Sequence, residues 1–331
     1  MRAISIPHPR EVRLVEMEIP KPSEDEVLVE VVACGLCTTD LEIVSGDFWA
    51  SYPAVPGHEI AGVIREVGGN VLHVNIGDRV ALDPNIACGW CSPCRNGAIH
   101  MCENLEALGV SRPGGFAEYL VAPGRNTYAL PDRVEFAVGA LAEPLACVLH
   151  GLDRVTPREN ESVNIFGAGF IGLLFAAVLR HLGIQDLLLV DPVKIRRKLS
   201  EQRGLRTAHP EELRDRQRGR SSLPSICIVS SGNPEAVQLA IEQAGYGARV
   251  LIFGVARPSE RVIFSPYEIF TKELSIIGSF INPLTMSRSV ELLSQLDLDS
   301  LISETFELGE FEEAVVNFVP TPRILKRMCA P

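Results

Sequence analysis

The chain is predicted to be an α/β protein in two unlike parts, one β-rich and one built on a doubly wound parallel sheet. Three observations predict this. Short Val-, Ile- and Leu-rich runs broken by Pro, Gly and Asp occupy roughly the first 130 residues. Beyond about residue 135, largely apolar runs of four residues alternate with segments of helical apolar spacing, the pattern of a parallel sheet covered on both faces. A Gly-x-Gly-x-x-Gly loop joins the first of those runs to a helix.

In order, the first part is expected to hold strands at 12–18, 26–34, 62–67, 78–82 and 115–121, followed by helical spacing at 135–141 and 145–152. The second part is expected to hold strands at 163–166, 187–190, 226–229, 250–253 and 274–277, with helices at 171–182, 193–203, 234–244 and 266–272. Helices at 287–296 and 311–318 close the chain. The expected domains are 1–148 (catalytic, β-rich), 149–281 (nucleotide-binding) and a segment 282–331 that returns to the first. Neither repeats nor low-complexity segments stand out.

A content of 46% hydrophobic and 22% charged residues over 331 positions is that of a globular protein large enough for two domains. The formal net charge of -11 argues against nucleic acid or an anionic membrane as partner. The most basic stretch, 214–220, contains Asp215 beside Glu211 and Glu212 and reads as solvated surface. The N-terminus lacks the apolar core of a signal peptide, and no apolar run approaches the roughly 18 residues of a membrane span. Nine cysteines, several at metal-ligand spacings, point to thiols kept reduced in the cytoplasm.

Those cysteines define two metal sites. Cys88, Cys91, Cys94 and Cys102 form a Cys-x2-Cys-x2-Cys-x7-Cys run, four thiolates that fill the tetrahedral shell of a structural zinc. Cys37, with His58 and Glu59 in Gly57-His58-Glu59, gives the mixed sulfur, nitrogen and oxygen set of a zinc with an open position. Cys34 and Cys37 also form a Cys-x2-Cys pair, but such redox pairs open a helix after a thioredoxin-like strand, whereas this strand leads into the metal motif. Cys34, Cys147, Cys227 and Cys329 are expected to be non-ligand thiols.

The nucleotide motif is Gly167-Ala168-Gly169-Phe170-Ile171-Gly172, directly after the 163–166 run. Gly167 permits the turn, Gly169 lets backbone amides reach a pyrophosphate, and Gly172 lets the helix pack on the sheet. The helix N-terminus that starts at Phe170 and Ile171 then holds the phosphates. Asp191, nineteen residues beyond Gly172, is placed to accept hydrogen bonds from ribose hydroxyls and to repel a 2'-phosphate, which favours NAD. Arg196 and Arg197 nearby could instead serve a 2'-phosphate, stack on adenine or face solvent.

Gly57-His58-Glu59-Ile60-Ala61-Gly62, continued by Gly68 and Val71, resembles the zinc-site pattern of the medium-chain zinc-dependent alcohol dehydrogenases. The four-cysteine lobe, Gly114-Gly115-Phe116-Ala117-Glu118-Tyr119 and the nucleotide half extend the resemblance over nearly the whole chain. Ala142-Glu143-Pro144-Leu145-Ala146 is similar to the polyol branch, that of sorbitol and threonine dehydrogenases. The resemblance implies a GroES-like catalytic domain with a Rossmann domain, two zincs per subunit, NAD, a small-molecule alcohol substrate and a homodimer or homotetramer. It implies a catalytic zinc on Cys37, His58 and Glu59, with Glu143 as a further ligand or a partner of bound water. Thr39 matches the residue that accepts the substrate proton.

The family's usual histidine after Ser/Thr-Asp-x is here Glu42, which either accepts the proton itself or leaves the relay to another path. Phe48, Trp49 and Tyr52 are expected either to wall the substrate pocket or to serve as core or interface. The expected function is oxidation of a secondary alcohol (polyol, sugar alcohol, cyclitol or amino alcohol) with NAD. Two rival readings are an NADP-linked aldehyde or ketone reductase of the same fold, opposed by Asp191, and a non-catalytic nucleotide-binding protein, opposed by the intact ligand set.

Overall fold

A computed structural model describes residues 1–215, 223–316 and 325–331. Most of the basic 214–220 stretch and the end of the helix expected at 311–318 lie outside them. Two compact units result, Met1–Ala146 with Asn282–Pro331, and Cys147–Ile281.

The first unit is organised by the strand Glu26–Gly35, whose sequence EVLVEVVACG is apolar enough to be buried almost throughout. Glu59–Val67 pairs with it antiparallel along one edge. Tyr119–Pro123 and Lys326–Ala330, both antiparallel, share the other edge. Arg79–Leu82, Thr127–Ala129 and Ile302–Glu307 complete the sheet. Two register irregularities, at Leu28/Val29 and Val31/Ala33, mark bulges of the kind that bend a sheet. The chain's end is thus part of this unit's core: Phe311 meets the ring of Phe116 edge-on at 4.7 Å, and Cys329 stands opposite Cys34.

The second unit holds a six-stranded, all-parallel sheet in the order Arg206–Ala208, Leu187–Val190, Val163–Phe166, Ile226–Val229, Arg249–Ile252, Ser275–Gly278. The order reverses beside Val163–Phe166, which is where open α/β sheets bind ligands. Arg206–Ala208 is absent from the expected strands. Its three residues, with only Ala208 buried, carry no apolar run to read.

Thr38 begins the helix Thr38–Ser45, for which Cys37 is the N-cap in extended geometry. Among the described residues, 136–155 form one helical stretch long and apolar enough by composition to cross a membrane, and 72% of its apolar window is buried inside the protein as a core helix.

Candidate metal centres and cofactor site

The open site is assembled where two chain segments meet. The strand Glu26–Gly35 delivers Cys37 to the start of the Thr38–Ser45 helix, and Glu59 opens the neighbouring strand, paired with Gly35. One ligand atom from each of Cys37, His58 and Glu59 lies within 4.8 Å of the others. Glu143, in the first turn of Ala142–Val155 and itself buried, lies outside this group.

Among the described residues, two buried atoms in the cluster have no hydrogen-bond partner, His58 Nδ1 and Glu59 Oε2. Leaving such atoms buried and unpaired costs free energy, and a soft-to-intermediate divalent metal suits a thiolate, imidazole and carboxylate set. The residues therefore fit zinc. Burial lowers the His58 pKa, but the charges of Cys37 and Asp40 outweigh it and raise it well above the ordinary range.

Sequence reasoning passed over two residues here. Asp40 is fully buried; its Oδ2 accepts from Cys37 N at 2.8 Å, its Oδ1 accepts from Gly57 N at 3.0 Å, and His58 Nδ1 lies 3.6 Å away. It ties both halves of the site together. A signal existed, since an acid three residues after an N-cap is a capping box. Lys326 donates to Glu59 Oε1 from the far end of the chain and had no local signal. Burial lowers its pKa, yet Glu59 and Cys37 outweigh that and raise it, so the ammonium stays charged.

Thr39 sits on the first turn of the helix with its Oγ1 3.8 Å from Cys37 Sγ. A helix does open at Cys37, contrary to the reason given above for discounting a Cys34–Cys37 redox pair. Cys34 is nevertheless wholly buried, and burial raises its thiol well above the usual range, which removes the reactive thiolate such a pair needs. Of the aromatic residues, Phe48 and Tyr52 pack on the first unit's core, and Trp49 is 60% exposed.

The closed site brings one sulfur from each of Cys88, Cys91, Cys94 and Cys102 within 4.8 Å. The short helix Ser92–Arg95 begins at Cys91 and carries Cys94, and the turn Ile99–Met101 delivers Cys102. Backbone N–H groups of Cys88 and Asn104 donate to Cys102 Sγ at 3.2 and 3.3 Å. Burial resists ionisation of Cys88, but N–H groups of Cys91 and Trp90 outweigh it and bring the thiol down to about 6. Burial and contacts with neighbouring thiols push Cys94 up to about 12.

In the second unit, Gly167 adopts φ 111°, which L side chains rarely tolerate. A Cβ on Gly172 would lie 1.9 Å from Gly167 O, so the helix Phe170–His181 can start there only with glycine. A Cβ on Gly169 would meet nothing within 4 Å, which leaves its backbone open to approach. Asp191 accepts from Ala168 N at 2.8 Å and Val193 N at 2.7 Å, fastening the glycine loop to the end of the second strand. Arg196 Nη1 stands 3.8 Å from its Oδ2, and Arg197 Nη1 donates to its carbonyl at 2.7 Å.

Residues 23–132 match the alcohol dehydrogenase GroES-like domain and residues 171–295 the zinc-binding dehydrogenase domain. D-arabinitol dehydrogenase 1 of Uromyces fabae is 31% identical over 95% of this chain and 93% of its own. The chain belongs to the zinc-dependent medium-chain alcohol dehydrogenases, in their polyol branch. D-altritol 5-dehydrogenase of Agrobacterium fabrum (33% identical, 94% of each chain) and L-threonine 3-dehydrogenase of Deinococcus radiodurans (33%, 95% and 93%) are further relatives of this dehydrogenase. Its fold matches a zinc-binding dehydrogenase of Sinorhizobium meliloti bound to NADP (TM-score 0.95, 32% identical, 100% and 99% covered). It also matches an Escherichia coli alcohol dehydrogenase complexed with NADH (0.93, 30%, 100% and 99%). This dehydrogenase is an oxidoreductase acting on alcohols, of a zinc-binding, NAD(P)-using kind.

Proposed function

We propose that this dehydrogenase oxidises a secondary alcohol that carries further hydroxyl or amino groups, with NAD as hydride acceptor and two zincs per subunit. The observation that carries it is the Cys37, His58 and Glu59 cluster with its orphaned buried nitrogen and oxygen. The arabinitol, altritol and threonine dehydrogenases among its relatives support the substrate class.

Cys37, His58 and Glu59 would hold the catalytic zinc, and the four-cysteine lobe the structural one. Bound at the open site, zinc supplies the Lewis acidity that lets an alcohol hydroxyl ionise near neutral pH. Asp40 holds Cys37 and Gly57 in place by two backbone hydrogen bonds, so the donors need little rearrangement. Thr39 would take the hydroxyl proton and pass it on, and a bound nicotinamide would supply the hydride acceptor. Glu143 is assigned as an outer partner, in keeping with its place beyond the three-residue cluster. Gly167, Gly169, Phe170, Ile171 and Gly172 would cradle the pyrophosphate, and Asp191 would accept from the adenosine ribose.

A second reading, NADP, is favoured by Arg196 at 3.8 Å from the Asp191 carboxylate, a cation that could meet a 2'-phosphate. A panel of polyols, cyclitols, amino alcohols and simple secondary alcohols, each with NAD and NADP, decides both points by kcat/KM. Turnover confined to unsubstituted alcohols, or preference for NADP, would refute the corresponding part.

We assign the protein to the cytoplasm, where its thiols stay reduced, and to a homo-oligomer paired through the edge strand Ser275–Gly278. Beside that strand Tyr267 and Phe270 are 74% and 79% exposed, an apolar surface suited to a second copy. Sedimentation of a Phe270→Glu variant as monomer would support this; unchanged oligomers would oppose it.

A further inference from the structure

Lys326 and Glu59 are 267 residues apart in sequence, and both are buried, at 4% and 2% exposure. The sheet brings them together across one bare residue. Met328 pairs with Gly35, and Gly35 pairs with Glu59. Lys326, two residues before Met328, therefore projects on the face that Gly35 and Glu59 share. A Cβ on Gly35 would lie 2.0 Å from Glu59 Oε2 and 3.0 Å from Lys326 Cε. Only glycine leaves the lysine stem and the carboxylate room to meet over the strand. The ammonium takes Glu59 Oε1, while Oε2, buried and without a hydrogen-bond partner, belongs to the residue clustered with Cys37 and His58.

We propose that Lys326 is a positioning residue for the open metal site: it pins Glu59 Oε1 across Gly35, so that Oε2 alone is presented as donor. It also offsets one of the two negative charges that Cys37 and Glu59 bring to the metal. The proposal rests on Glu59 being a metal donor. Without the lysine, the buried carboxylate loses the cation beside it and the hydrogen bond that fixes its Oε1.

The experiment measures zinc affinity of the full chain by competition with a chromogenic chelator, together with visible absorption of the cobalt-substituted protein. Lys326→Met should release one zinc about 10–100-fold more readily, and Lys326→Arg should remain within about threefold of wild type, with the four-cysteine zinc unchanged in both. Gly35→Ala keeps the lysine but displaces the carboxylate, so it should weaken the same zinc and shift the cobalt bands. Wild-type affinity in Lys326→Met, alongside a loss in Glu59→Gln, overturns the positioning role and leaves Glu59 a ligand. Wild-type affinity in Glu59→Gln overturns both. If Lys326→Met does not fold, Gly35→Ala decides, and unchanged affinity there overturns the proposal.

Discussion

Asp40→Asn tests how the open site is held before any metal arrives. The carboxylate is fully buried and receives two backbone N–H groups on separate oxygens, Gly57 N on Oδ1 and Cys37 N on Oδ2. An amide keeps one acceptor oxygen and turns an NH2 toward the other donor. One charge-assisted hydrogen bond worth about 1.5–3 kcal/mol is lost. At roughly 2–4 °C per kcal/mol for a unit of this size, the corresponding transition should fall by about 3–12 °C. Differential scanning calorimetry, with and without a chelator, measures it. The loss should persist with the metal stripped, because both hydrogen bonds are made by the chain alone. A transition within 1 °C of wild type under both conditions would refute the reasoning.

Three further outcomes follow from other parts of the molecule. Burial raises Asp83 to about 6, more than Asn85 and Asn282 lower it, against 3.8 when unfolded. A raised carboxyl favours folding below the unfolded value, and that contribution is lost as pH climbs through about 6, a change of about 3 kcal/mol. Asn85 N, Asn85 Nδ2 and Asn282 Nδ2 all donate to Asp83 Oδ1, which an amide retains, so Asp83→Asn should remove this slope and raise the urea midpoint at pH 8. Cys91→Ser should lower zinc content from two per subunit to one, by metal analysis, and open the 88–102 lobe to limited proteolysis. Asp191→Gly should loosen the glycine loop, since Ala168 N loses its acceptor, and should raise kcat/KM with NADP relative to NAD.

Much of the fold was legible because its signals are local. Short apolar runs bounded by turn residues and alternating with helical spacing fit strands buried on both faces, and Gly167 and Gly172 answer to a positive φ and a 1.9 Å contact set within one loop. Strand Arg206–Ala208 escaped because pairing with Leu187–Val190, not composition, makes it a strand. The spacing of Cys88, Cys91, Cys94 and Cys102 made their convergence legible, and one sulfur from each lies within 4.8 Å of the others. Cys37, His58 and Glu59 were legible as residue types, and the pairing of Gly35 with Glu59 explains why they converge.

The sequence by itself therefore determined the family, the two kinds of metal-binding set and the nucleotide loop, because each depends on residues close along the chain. Tertiary structure decided that Asp40 clamps Cys37 to Gly57, that Glu143 stands outside the three-residue cluster, and that Lys326 reaches Glu59 across a bare Gly35. Apart from the Asp40–Cys37 capping box, these relations join segments far apart in sequence, which no local pattern encodes. The Lys326 contact depends on sheet register, and a one-residue slip would turn Lys326 to the opposite face.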